Sequence, residues 1–227
     1  AGQLTASIAH ELNQPLGAIL CNAQAAATQL GQQPISADEV RAALEDILDD
    51  CRRAGTVIQR LRSLYEKGTH EFVSLQLNDV IRETLALLRS EFVFNDIKLH
   101  LQLDPRLCPV RGNRVELQQV ILNLVLNALQ ALTARDTGAR RLSLRTWREK
   151  PDTVRAAVSD SGPGLTPEQL SRLFEPFYTT KDRGTGMGLT ISHAILEAHL
   201  GKLWAGNNPE GGATFHLALP ALSEDTT

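Results

Sequence analysis

Cysteine is scarce: Cys21, Cys51 and Cys108 are far apart, odd in number and include no CxxC pair. Neither a disulfide framework nor a zinc site is indicated, and a reducing cytoplasmic setting is expected. Long apolar runs are missing too, since none approaches the roughly 18 residues that cross a bilayer. No charge dominates, with 23 Lys and Arg against 26 Asp and Glu and a net charge of −3. The concentrated basic face that nucleic acid calls for is therefore not expected. A signal peptide and an opening Met are also lacking, so the sequence reads as a piece of a longer protein. Two phosphate-binding signatures are absent. No GxxxxGK[ST] occurs, and the one glycine triplet is spaced GxGxG after a loop, which is not a dinucleotide-binding fingerprint.

What remains is 227 residues, 42% hydrophobic and 22% charged, enough for one large or two modest domains. The first 67 residues form one texture. Leu4, Ile8, Leu12, Pro15, Ile19, Ala23, Ala26 and Leu30 step by three or four and predict one helix with an apolar stripe. Gly31 and Pro34 end it, and Ser36 with Glu39 predicts the capped start of a second helix. The second stripe runs Val40, Leu44, Ile47, Cys51, Ala54, Ile58, Leu61 and Tyr65, the spacing of a coiled-coil seam. A lone hairpin cannot cover both stripes, so a homodimer forming a four-helix bundle is expected.

From about residue 72 to 221 the texture is α+β. FVSLQL, IKLHLQL, RLSLRTW, VRAAVSD, KLWAG and ATFHLAL read as strands. NDVIRETLALLRSEF, NRVELQQVILNLVLNALQAL and LTISHAILEAHL read as helices on one face of a mixed sheet. Asp160 ends a buried strand, with Gly162 and Gly164 just beyond. That suits a carboxylate accepting the amino hydrogens of a flat ligand, although DSGPG also makes a good turn. Gly184, Gly186 and Gly188 precede a helix whose free amides can face phosphate oxygens. Asn123 and Asn127 share one face of the long apolar helix, where an amide needs a ligand, a metal or a hydrogen bond to a neighbouring strand.

In order, NLVLNA, DSGPGL, LFEPFYTTK, GTGMGL and GGATFHL resemble the nucleotide-binding blocks of sensor histidine kinases and the related ATPases. The resemblance implies an α/β-sandwich ATP-binding domain using ATP and Mg²⁺. It implies that Asp160 takes the adenine amino group, that Gly162 and Gly164 shape the pocket, and that Asn123 borders the nucleotide. Asn127 would hold Mg²⁺, Gly184, Gly186, Gly188 and Leu189 would border the phosphates, and Lys181 would reach the γ-phosphate. Phe174 and Phe177 would anchor a lid over about residues 177 to 187, and Thr214 would lie near the adenine.

The hydrolytic members of that superfamily carry Glu at the position held here by Asn123, and an amide is no general base near neutral pH. The phosphoryl group then needs another acceptor. His10 stands two residues from each of Ile8 and Leu12, about 200° around a helix of 3.6 residues per turn, and so points away from the stripe. Glu11 beside it can hold one imidazole proton and free the other nitrogen for attack. Pro15 cannot donate to the carbonyl of Glu11, so the helix is expected to bend or loosen there. HELNQPL is similar to the phosphoacceptor block of histidine kinases, which implies a response regulator as partner and a sensor domain upstream. Gln14, with Asn13 before it, stands where many relatives use Thr or Asn to dephosphorylate that regulator.

Overall fold

A computed structural model describes residues 2–31, 36–47, 50, 71–134, 138–149, 152–179 and 186–222, with side chains from residue 16 onward. The chain divides into two compact units, Ala1–Thr69 and His70–Thr227. In the first, α1 spans Gly2–Leu30 and is Ala-rich in its second half, as a strong helix former should be. It continues through Pro15 as one helix; the proline removes a single ladder bond without ending it. The amide of Gly31 donates to the carbonyl of Thr28 at 3.1 Å and closes the last turn. α2 occupies residues 37–47, and the Val40 amide donates to the Ser36 carbonyl at 3.1 Å. The expected stripe from Cys51 to Tyr65 lies outside the described residues.

Along α1, Ala26 is buried, but Leu16, Leu20 and Leu30 are 52%, 61% and 57% exposed. With the exposed Ala23 and Ala27 they step by four and three, a heptad seam lying beside the expected stripe. Leu44 of α2 is also half exposed.

The second unit stacks helices on one face of a five-stranded sheet. Its elements are β1 (Val73–Leu75), α3 (Leu77–Leu87), α4 (Arg89–Phe94), β2 (Lys98–Leu103), β3 (Val110–Gly112) and α5 (Arg114–Thr133). They continue with β4 (Arg141–Glu149), β5 (Thr153–Asp160), α6 (Pro167–Arg172), α7 (Gly188–Ala198), β6 (Lys202–Asn207) and β7 (Ala213–Pro220). The sheet order is β2-β4-β5-β7-β6, with β2 parallel to β4 and the other pairs antiparallel. Alternation sets the faces: Leu142, Leu144 and Thr146 of β4 are buried under the helices, while Ser143, Arg145 and Trp147 face away.

Contrary to the expectation that no apolar run approaches membrane-spanning length, α5 is long and apolar enough by length and composition to cross a membrane. Here its apolar side is core, because Leu117, Val120, Ile121, Leu124 and Val125 are at most 1% exposed. Asn113 caps it, accepting from the amides of Val115 and Glu116 at 2.9 and 3.1 Å. α6 opens on a reciprocal capping box between Thr166 and Gln169, with Pro167 at the first position. His199 ties the end of α7 to the start of α5. Its Nδ1 donates to the Ile195 carbonyl at 2.7 Å and its Nε2 accepts from the Asn113 amide at 3.0 Å.

Three details differ from expectation. The first strand is only Val73–Leu75, because Gln76 already serves as the N-cap residue of α3. The helix expected over NDVIRETLALLRSEF breaks at Leu88 into α3 and α4. β3 pairs with β1 in a separate two-stranded sheet, and three residues are too few to show an alternation.

Candidate functional site

Two strand ends and one helix assemble the site. Asp160 closes β5 and is 5% exposed. Its Oδ1 accepts from the amides of Gly162 at 2.7 Å and Ala213 at 3.3 Å. Burial pushes its carboxyl above the ordinary 3.8, while those two amides pull it back. A carboxylate kept in so dry a place, with Oδ1 held by the backbone, is equipped to accept hydrogens from a ligand.

The loop after Asp160 lies flush on α5. A Cβ on Gly162 would stand 2.8 Å from Asp160 Oδ1 and 3.1 Å from the Cβ of Ala131. One turn on, the Leu165 amide donates to Asn207 Oδ1 and the Asn207 amide group donates to the Leu165 carbonyl, both at 2.7 Å. This two-point clamp fixes the strand-end loop that holds Gly164. Asn208 donates to the carbonyl of Asp160 at 3.0 Å, and a Cβ on Gly212 would fall 2.0 Å from that oxygen.

Asn123 meets the other end of the site. Its Nδ2 donates to the Gly188 carbonyl and to Ser192 Oγ, each at 3.2 Å, so both amide hydrogens are committed to the first turn of α7. Among the described residues its Oδ1 accepts no hydrogen bond. Asn127 lies one turn further along α5 and is half-buried, and Ala131 a turn beyond it supports Gly162. One line of α5, Asn123 to Asn127 to Ala131, thus joins the glycine at the head of α7 to the buried carboxylate. Eight residues at 1.5 Å each give about 12 Å.

Gly188 begins α7, with Leu189 half-buried behind it. Gly186 has φ +64°, and a Cβ there would sit 2.4 Å from the carbonyl carbon of Phe177. Lys181 and Gly184 lie outside the described residues, as do the side chains of His10 and Glu11.

Two expectations are corrected. Thr214 does not face the Asp160 side of the sheet. Strand alternation puts Ala213 and Phe215 there, and Thr214 Oγ1 instead hydrogen-bonds Ser159 Oγ at 2.7 Å and Asn208 on the opposite face. The Ala213 amide, not the Thr214 hydroxyl, reaches the carboxylate. Phe177 is no packed anchor either, being 73% exposed at φ +64°. Phe174 alone packs at the core, its ring centroid 5.0 Å from that of His193 and its carbonyl accepting from Thr190 Oγ1 at 3.2 Å.

Asn207, Asn208 and Ser159 belong to none of the motifs that mark the site in the sequence. A turn signal was present in NNPEGG, but it carries no information about which loop the asparagines would clamp.

Comparison with known proteins agrees with this architecture. Residues 112–223 match the family of histidine kinase-, DNA gyrase B- and HSP90-like ATPases, and residues 1–69 match the His Kinase A (phospho-acceptor) domain. The chain is 37% identical over 225 residues to the sensor protein FixL of Bradyrhizobium diazoefficiens, covering 99% of this chain and 44% of that protein. It is 35% identical over 220 residues to the sensor histidine kinase TmoS of Ectopseudomonas mendocina, covering 96% and 23%. The chain spans less than half the length of these curated relatives. The solved catalytic domain of histidine kinase ThkA superposes with a TM-score of 0.60 at 31% identity, over 66% of this chain and 98% of that one. ThkA in complex with the response regulator TrrA gives a TM-score of 0.66 at 26% identity, over 99% and 63%. With both halves matched in order and a catalytic domain covered almost end to end, the chain belongs to the sensor histidine kinases.

Proposed function

We propose that this chain moves the γ-phosphoryl group of ATP to His10 and then to an aspartate of a response regulator. The observation that carries the reading is the line along α5, with a buried carboxylate at one end, the glycine at the head of α7 at the other, and no carboxylate at position 123. Asp160 takes the adenine amino hydrogens, Gly162 and Gly164 let the base lie against backbone, and the amides near Gly186, Gly188 and Leu189 face the phosphates. Lys181 and Gly184 complete the phosphate end.

The donor set suits Mg²⁺. Asn127 would hold it, a hard carboxamide oxygen beside phosphates, with the Oδ1 of Asn123 close by. When bound, Mg²⁺ supplies charge neutralisation at the phosphates. Among the described residues no cluster of three or more His, Cys, Asp or Glu offers a rival metal site.

At the other unit a neutral imidazole nitrogen of His10 forms the N–P bond while the bond from phosphorus to the bridging oxygen of ADP breaks. Glu11 holds the proton on the second nitrogen. Because Asn123 cannot take a proton from water, hydrolysis does not compete efficiently. The exposed seam of Leu16, Leu20, Ala23, Ala27 and Leu30 supports a homodimer through the helical unit. The regulator would dock from a separate protein, and a sensor domain would lie upstream. Free Cys21 and buried Cys108 suit a cytoplasmic position.

Incubation with γ-labelled ATP tests the reading. Acid-labile label retained on the chain is the expected result, and steady phosphate release without labelling would replace it with an ATPase of the same superfamily.

A further inference from the structure

The face of the five-stranded sheet turned away from α3, α5 and α7 takes no part in the nucleotide groove. It is strongly basic in a chain whose net charge is −3. By strand alternation it carries Lys98, Arg141, Arg145, Arg155 and Lys202, against the single carboxylate Glu149 among its described residues. Both tryptophans of the chain stand on it as well. Arg145 lies over Trp147 at 5.2 Å from the ring centroid, and Arg155 lies over Trp204 at 5.0 Å. Trp204 stacks in turn on His216, with centroids 5.2 Å apart and planes 11° off parallel.

Beside these rings the small residues Ser143, Ala157, Ser159, Thr214 and Gly206, together with Gln102, Asn207 and Asn208, line a dip in the sheet. The result is a trough of about 290 Å³. Arg155 is paired with Glu149 at 2.5 Å, but Arg145 has no carboxylate partner among the described residues.

We propose that this face docks an acidic segment of a partner protein, with Arg145 as its central anchor. Charge complementarity is the first reason: the surface is far more basic than the chain that carries it. Preorganisation is the second. A guanidinium lying over an indole keeps its remaining N–H donors open for a carboxylate. Composition is the third, since Trp and Arg are enriched among the residues that carry most interface energy. A single-stranded nucleic acid is the other occupant a basic aromatic sheet could take. Base stacking needs open ring faces, and here guanidinium and imidazole already cover the indoles. His216 adds no charge to the face near neutral pH, because its partial burial and the neighbouring Arg155 lower its pKa from 6.5.

Both tryptophans report on the face, so the test uses the intact chain and its own fluorescence. A short synthetic peptide of alternating glutamate and leucine should change the emission saturably, with a midpoint that rises with salt. Arg145→Glu should weaken binding about tenfold or more. Arg82→Ala, which removes an exposed cation on α3 paired with Asp79, should leave binding unchanged. No emission change at millimolar peptide, equal binding by Arg145→Glu and the parent chain, or tighter binding of oligothymidylate than of the peptide would each overturn the proposal. Circular dichroism of Arg145→Glu excludes unfolding as the cause of a loss, since the side chain is exposed.

Discussion

In the second unit Leu117, Ile121, Leu124, Leu142 and Leu217 are all at most 1% exposed, whereas in the first Leu16, Leu20, Leu30 and Leu44 are each more than half exposed. What differs between them is geometry. A sheet with helices on one face encloses a core within a single chain, while a helical hairpin has two apolar stripes and only one mutual contact to offer. The α/β unit therefore encloses its own core, whereas the proposed dimer would complete the helical unit, which carries the proposed acceptor His10.

Separating nucleophile from nucleotide predicts the largest effect. His10→Gln should abolish acid-labile labelling to background while nucleotide affinity stays as in the parent chain, measured by autoradiography and by titration with a non-hydrolysable ATP analogue. Retained labelling would remove His10 from the mechanism. Next in size is the seam. Leu20, exposed in the single chain, would be covered in the proposed dimer, so Leu20→Glu should lose about 1.5–3 kcal/mol per copy and raise dimer dissociation at least a hundredfold in sedimentation equilibrium. The unfolding temperature of the isolated 70–227 unit should not depend on its concentration; dependence would mean that this unit, too, is completed by association.

Asp160→Asn comes third and should move binding and stability in opposite directions. Losing a hydrogen bond to a charged group costs about 1.5–3 kcal/mol, roughly ten- to a hundredfold in nucleotide affinity by calorimetry. The folded-state pKa of Asp160 is raised, so its favourable contribution is full at pH below the ordinary 3.8 and is lost as pH rises through the folded value. Near neutral pH the ionised buried carboxylate is thus a liability, and the Asn variant should melt higher. Below pH 3.8 that advantage should vanish, and an advantage independent of pH would contradict the burial argument.

Much of this was legible in the residues because it rests on period and punctuation. RLSLRTW and VRAAVSD read as strands and form β4 and β5, and the carboxylate before two glycines stands buried at the end of β5. What escaped was whatever a single step along a strand decides. Thr214 and Ala213 differ by one position, yet that step moves a side chain across the sheet, and the block GGATFHL alone does not say which of the two faces Asp160. The tie of Asn123 to α7 escaped for a related reason. Its amide clearly needed a partner, but the choice among ligand, strand and neighbouring helix depends on contacts 65 and 69 residues away. Phe177 shows the opposite failure: an aromatic in an apolar block reads as core, and a left-handed backbone turns it outward.

The smallest effect sharpens the contrast between the units at the level of one methyl group. Gly212 has φ +89°, and a Cβ there would meet the Asp160 carbonyl oxygen at 2.0 Å. Gly212→Ala therefore incurs backbone strain of about 1–3 kcal/mol and must also push β7 away from the carboxylate it supports. At roughly 2–4 °C per kcal/mol for a unit of this size, the melting temperature should fall by several degrees. Nucleotide affinity should fall with it, because the Ala213 amide moves off Asp160. Gly31 ends α1 with ordinary contact to the Thr28 carbonyl at 3.4 Å, so Gly31→Ala should stay within about 0.5 kcal/mol of the parent. Equal tolerance at both positions would mean that the strand-end loop yields as readily as a helix end, and the close fit around Asp160 would no longer explain why a glycine stands there.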